Sequence, residues 1–499
     1  MKVHVKHGSL TNTATEVLVV GGYEGEKTLG KPLQALDRHF DGQLAAMRKT
    51  GEFQGKINQT VLVHSRGSVP AKRILWVGLG KKEKVTLDSV RQAMGTVVKR
   101  VRQTGARSFT SSLLGGETPR HSVSDLSQAM VEGAILGSYR FTQFQTNQSD
   151  NGKPVDSLNI LASASELNRV KTGSHRGAII AEAASLVRDL CNTPANIMNP
   201  ARVVEQARKI AKERGVKLTV LNRQKMEKLG MGGLLGVSRG SQEPPQFIIL
   251  EYAGAGKKDK PVILVGKTVT FDSGGISLKP AENMEQMKAD MTGGAEVLAT
   301  VLAVARLRAH LNVIGILPVT ENMPGGRATK PGDILKMLSG KTVEVQNTDA
   351  EGRLILADGL SYATRLKPKC IIDIATLTGA CMVALGQHAI GMLGNNDQLK
   401  AKLKEAGEQS GERVWEMPLW DEYFEQLKSD VADMRNIGGR GGGMITAAMF
   451  LSKFVGDYPW VHLDIASTDW SSSDRPYIGK GPTAIGTRLL IHYLLNQAK

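Results

Sequence analysis

Short apolar runs alternate along the chain with longer segments whose apolar positions recur every three or four residues. From Met1 to about Ile160 the runs EVLVV, TVLVH, RILWVGL and LNILAS alternate with helical patterns such as LDSVRQAMGTVVKRV, the rhythm of an α/β domain. The polar stretch FTQFQTNQSDNGKPVDS has loop composition, and the periodic SHRGAIIAEAASLVRDL after it predicts a linking helix over residues 165–190. From residue 191 the alternation resumes with PVILVGK, LNVIGILPV, TVEVQN, CIIDIAT and WVHLDIA, apolar on both faces as strands of a covered sheet are. Helical stretches such as GGAEVLATVLAVARLRAH separate them. The expected fold is α/β in two domains. A smaller α/β domain spans 1–160, and a larger one over 191–499 has a mixed central sheet flanked by helices.

Composition agrees with this picture and narrows the class. The chain has 499 residues, more than one hydrophobic core supports, with 41% hydrophobic and 22% charged residues. No repeat of about 20 to 50 residues is visible, which excludes solenoids and propellers. The start MKVHVKHGSLTNTATEVLVV has no uninterrupted apolar core, and no later stretch is apolar for the roughly eighteen residues of a membrane span. A cytoplasmic protein without membrane contact is expected. The three cysteines, Cys191, Cys370 and Cys381, sit in apolar contexts without CxxC spacing, which predicts buried free thiols.

Charge adds one question. The net charge is +16, and residues 81–107 hold eight basic side chains (Lys81, Lys82, Lys84, Arg91, Lys99, Arg100, Arg102, Arg107) against Glu83 and Asp88. A solvated helix face explains this run, and DNA contact by the N-terminal domain, as in a DNA-binding regulatory protein, is the alternative.

Four stretches carry charge where a plain loop needs none: VGKTVTFDSGG, the following ISLKP, MKADMTGG and NTDAEGRL. Three lie at or near strand ends, where ligand-binding residues of open α/β sheets collect. Asp272, Asp290, Asp349 and Glu351 are thereby candidates for one crevice. Four carboxylates held together repel unless cations lie between them, and a divalent pair about 3.5 to 4 Å apart is the common solution. Oxygen ligands suit Mg and Mn, and Zn also accepts them. Singly, each stretch has an ordinary structural explanation. Asp349 would cap a helix over about 351–365, FDSGG would be a turn, Asp290 an exposed helical residue, and Lys267 and Lys279 solvated. Only the joint occurrence demands more, because a helix cap leaves GKTVTFD unexplained.

VGKTVTFDSGGISLKP, MKADMTGGA and NTDAEGRLILADGL resemble the signature segments of the leucyl aminopeptidase (cytosol aminopeptidase) family of dinuclear metallo-exopeptidases, and the likeness extends through NTPANIMNP, ATLTGA and WVHLDIA over roughly 175–490. The resemblance implies that Asp272 and Glu351 bridge two divalent ions, Mn2+ or Zn2+. Lys267 and Asp290 would complete one site, and Asp349 the other. It further places Lys279 beside the scissile carbonyl and a bicarbonate general base at Arg353. Met287, Thr376 and Gly379 would line the side-chain pocket. The implied activity is release of N-terminal, leucine-like residues from peptides by a homohexamer. Two departures stand out: Thr268 and Ser467 occupy positions where the family usually has glycine.

Two other readings are weaker on spacing. GKT at 266–268 ends like a P-loop, but the required first glycine would fall at Pro261, and GAGKK lacks the following Ser or Thr. NIGGRGGG at 436–443 is an anion-holding or flexible loop before the helix ITAAMFLSKF. A two-metal phosphoesterase is the third reading, and predicts turnover of phosphate esters and none of aminoacyl amides.

Overall fold

The computed structural model describes residues 1–116, 118, 120–146 and 153–498. Residues 147–152, within the predicted polar loop, lie outside them. Contacts divide the chain into two units, Met1–Glu182 with Ser473–Lys480, and Ala183–Ser472 with Gly481–Lys499. The predicted linking helix is the continuous Leu167–Asn192.

In the first unit a six-stranded sheet runs in the order Lys2–His7, Ser157–Ala162, Ser108–Ser111, Leu18–Glu24, Arg73–Lys81, Thr60–His64. All neighbours are parallel except the last pair. The helix Leu87–Gln103 begins in a capping box between Thr86 and Ser89 and buries Val90, Met94, Val97 and Val101, spaced three and four apart. Burying each such side chain stabilises by roughly 1.5–3 kcal/mol. The basic run on this helix is partly internal. Arg91 is fully buried with Nε 2.5 Å from Glu132 Oε2, Lys99 pairs with Asp474, and Arg107 pairs with Asp156. With Lys82 lying 4.0 Å from Glu26, four of the eight basic groups already have acidic partners.

The second unit has a nine-stranded mixed sheet. Its parallel centre is Trp460–Asp464, Cys370–Ala375, Val262–Gly266 and Asn312–Asn322, in that spatial order. Antiparallel neighbours, Ile390–Gly394 and Gln246–Ala253, flank it. A short strand Thr268–Asp272 also pairs parallel to Asn312–Asn322. The central strands are buried along nearly their whole length, as their apolar sequences require. The helix Thr292–Arg306 is largely apolar, with Glu296 as its one acid, and is buried from Thr292 to Ala305.

One predicted strand belongs elsewhere. TVEVQN contributes only Thr342–Glu344, to a separate three-stranded sheet with Ile334–Lys336 and Met434–Arg435. Only its central Val343 is buried, the alternation of a strand with one covered face. All three cysteines are buried and free. No described helix is long and apolar enough to cross a membrane.

Candidate active site

The carboxyl ends of the parallel strands deliver the charged residues. Lys267 follows Val262–Gly266, Asp272 ends Thr268–Asp272, Thr376 follows Cys370–Ala375, and Asn322 ends the strand Asn312–Asn322. Asp290 follows the 3-10 turn Met284–Ala289. Asp349 and Glu351 lie in the turn leading into the helix Gly352–Thr364. Neither acts as the helix cap considered above: Glu351 stands at the cap position with no side-chain hydrogen bond to the helix. Both carboxylates instead line a cavity of about 250 Å³.

That cavity also takes Lys267, Asp272, Lys279 and Asp290 on its wall, together with Met287, Thr376 and Gly379. Of the predicted site residues only Arg353 lies off it. Arg353 is buried one helical step behind Glu351, its Nη1 donating to the Asn436 carbonyl at 2.8 Å. Its Nε has no hydrogen-bond partner, and burial lowers its pKa to about 10 against the opposing charges of Glu351 and Asp464.

Three glycines let the segments approach. Gly274 and Gly275, just after Asp272, have φ of +86° and +68°, a region that favours glycine. A Cβ on Gly352 would lie 2.6 Å from Lys267 Cε, so the turn of NTDAEGRL closes on the lysine only because residue 352 has no side chain.

Ion pairs knit the cluster. Lys267 Nζ lies 2.8 Å from Asp290 Oδ1 and 2.9 Å from Glu351 Oε1, and Lys279 Nζ lies 2.9 Å from Asp272 Oδ2 and 2.6 Å from Asp349 Oδ1. Burial alone would lower both ammonium groups, but the surrounding carboxylates outweigh it and raise them. Burial pushes the Asp290, Asp349 and Glu351 carboxyls up, with Asp272 adding to the rise in each. Four carboxyl groups face two ammonium groups, so acids outnumber cations on the cavity wall.

The donor set fits divalent cations. Oxygens of Asp272, Asp290 and Glu351 lie within 4.8 Å of one another, and all three residues are buried. Asp290 Oδ2 and Glu351 Oε2 are buried with no hydrogen-bond partner, which is costly for a carboxylate unless a cation meets it.

The sequence reading missed the residues that hold these groups. Asn322 Nδ2 donates to Asp272 Oδ1 at 2.8 Å and to the Thr348 carbonyl at 3.0 Å. Asp464 accepts from Leu377 N, Thr378 N and Thr378 Oγ1, which fixes the loop after Thr376. The signal for Asp464 was present, a carboxylate inside the apolar run WVHLDIA. In the NIGGRGGG stretch Asn436 is fully buried and joins the Asn347 and Ala350 carbonyls to the Arg353 contact. Of the two departures, Thr268 donates to the Gly266 carbonyl and packs on Gly294, where a Cβ would lie 2.0 Å from its hydroxyl. Ser467 donates to the Ala389 carbonyl.

Comparison with known proteins gives the same direction. The profile of the cytosol aminopeptidase family, catalytic domain, matches residues 185–491, and that of the family's N-terminal domain matches residues 19–148. The chain is 45% identical over 495 residues to a probable cytosol aminopeptidase of Geobacter sp. (strain M21), covering 99% of each. It is 48% identical over 480 residues to that of Geotalea uraniireducens (strain Rf4), covering 96% of each. Among solved structures, a variant of tomato leucine aminopeptidase superposes with a TM-score of 0.88 at 33% identity, covering 99% of this chain and 96% of that one. The bottromycin maturation enzyme BotP in complex with Mn gives 0.86 at 34% identity, covering 97% and 100%. With catalytic and N-terminal domains both matched and relatives similar over nearly their full length, the chain belongs to the cytosol aminopeptidase family of peptidases.

Proposed function

We propose that the protein is a cytoplasmic two-metal aminopeptidase that removes N-terminal residues from peptides. The observation that carries this is the pair of buried, unpartnered carboxylate oxygens on Asp290 and Glu351, facing a cavity on whose wall acids outnumber cations. Asp272, Asp290, Asp349 and Glu351, with Lys267, would hold two divalent ions, Mn2+ or Zn2+. When bound, such ions supply positive charge that makes a water acidic enough to attack an amide at neutral pH.

The chain's own groups do the rest. Asn322 holds Asp272 in the orientation in which its other oxygen faces the cavity. Lys279, partly open to the cavity, would donate to the carbonyl oxygen as it gains charge, an effect worth a few kcal/mol per donor. Arg353, with Nε unpartnered, would hold bicarbonate as the group that accepts the water's proton. Met287, Thr376 and Gly379 would line the side-chain pocket, and the apolar wall of Met287, Leu377 and Met382 supports a leucine-like N-terminal residue.

We further propose a homohexamer. Trp415, Trp420 and Val431 are each more than half exposed, and burial between copies would cover them. Sedimentation at a monomer's mass would oppose this. For the activity itself, Glu351→Ala should lose metal and hydrolysis of Leu-p-nitroanilide together; a variant with wild-type turnover would refute the assignment.

A further inference from the structure

The cavity holds one acid beyond the proposed metal ligands. Asp469, in the turn after Trp460–Asp464, lies on its wall beside Trp470 and Ala466. Among the described residues no lysine, arginine or histidine forms an ion pair with it. The backbone N–H groups of Asp469 itself and of Trp470 favour its charged form. Burial, then the neighbouring Asp464, push this carboxyl up to about 8, with Lys267 opposing.

Behind this wall the interior is also acidic. Glu296, on the helix Thr292–Arg306, is fully buried, and neither of its carboxylate oxygens has a hydrogen-bond partner. The space it fills is opened by Gly486, where a Cβ would lie 2.5 Å from Glu296 Oε2. Glu412, which acts on Glu296 electrostatically, is matched by Arg488 at 2.9 Å, whereas Glu296 is not matched.

Apolar walls with an unmatched carboxylate among them suit a particular ligand. A long side chain with an aliphatic stem and a cationic head can lay the stem along Met287, Met382 and Trp470 and bring the head to Asp469. We infer that Asp469 makes this cavity select peptides whose N-terminal side chain ends in a cation, lysine or arginine, over uncharged side chains of the same length. This rests on the aminopeptidase reading but departs from the leucine-like preference proposed above, since Asp469 is a specificity residue within the same cavity. A site built around a buried polar group rejects an analogue lacking its partner, because the group is then left desolvated and unpaired.

The direct comparison is lysine against norleucine, which shares the stem and lacks the ammonium group. With the Mn-loaded protein, kcat/KM for Lys-p-nitroanilide should exceed that for norleucine-p-nitroanilide by about tenfold or more, chiefly through KM. Asp469→Asn should bring that ratio down to about one. A wild-type ratio of one or below overturns the inference, as does an Asp469→Asn ratio equal to that of the wild type. Calorimetric titration of the wild-type holoprotein with L-lysine and L-norleucine decides the matter without turnover or a variant. Tighter lysine binding supports the inference, and equal or weaker lysine binding overturns it. If no aminoacyl amide is hydrolysed, the aminopeptidase reading falls, while the calorimetric comparison still tests Asp469.

Discussion

Lys267 Nζ lies 2.9 Å from Glu351 Oε1, with both side chains almost inaccessible to solvent. As an ammonium group Lys267 occupies the centre of the carboxylate cluster as its built-in cation. A metal ion can take that place only if the lysine gives up its proton, since an ammonium has no lone pair to donate. Uptake of Mn2+ near neutral pH should therefore release at least about one proton per chain. Titrations in buffers of different ionisation enthalpy measure this, and uptake without proton release would contradict it.

Asn322 supports the cluster from behind without lining the cavity. Asn322→Ala should weaken metal binding and turnover by about 10- to 100-fold, the usual effect of removing a group that orients a ligand. Metal titration followed by activity at saturating metal checks this. Wild-type affinity in the variant would remove Asn322 from the account.

Asp373 and His462 are cross-strand neighbours, fully buried, with His462 Nδ1 2.6 Å from Asp373 Oδ1 and Trp460 Nε1 2.6 Å from Asp373 Oδ2. Burial alone would lower the imidazole pKa, but Asp373 outweighs it and raises it. A raised histidine adds stability that is fully present below its unfolded value of about 6.5 and is lost as pH rises through the folded value. Asp373→Asn should accordingly cost about 3–5 kcal/mol at pH 6 and less at pH 9. Urea unfolding at the two pH values reads the difference. An equal loss at both would show that the imidazole carries no charge in the folded protein.

Asp358 is a buried residue of the helix Gly352–Thr364 and accepts from Leu338 N at 2.8 Å and Leu234 N at 2.9 Å. An asparagine there would turn one acceptor into a donor facing an N–H, so Asp358→Asn should destabilise by about 1–3 kcal/mol despite its matching shape. Burial pushes the Asp358 carboxyl up to about 7. The folded state then holds a proton that the unfolded chain, with a pKa near 3.9, releases, so this group's contribution falls as pH rises from about 4 to about 7. The deficit of the variant should be larger at pH 5 than at pH 8, and thermal unfolding at both checks the sign.

The parts of this site legible in the sequence were those in which a charge interrupts an apolar pattern. Lys267 and Asp272 end buried strands, and Asp349, Glu351 and Arg353 crowd one helix start, so each is an expensive residue in an otherwise apolar setting. The central strands were legible because burial on both faces leaves continuous apolar runs. TVEVQN misled because a three-residue strand carries too little periodicity to show which sheet it joins. The packing of Thr268 on Gly294 and the exposure of Asp469 to the cavity depend on contacts between segments far apart in sequence, and no local pattern encodes them. Lys279 is a different case: its stretch ISLKP and the family resemblance marked it in the sequence, and the structure adds the bridge it makes between Asp272 and Asp349.

The central claim is that Asp272, Asp290, Asp349 and Glu351 with Lys267 hold two divalent ions that amide hydrolysis requires. Hydrolysis of Leu- and Lys-p-nitroanilide, followed as a function of Mn2+ bound per chain after complete chelation, tests it most directly. The account predicts no turnover in the ion-free protein and a full rate once two ions are bound per chain. Full turnover in the fully chelated protein would contradict it.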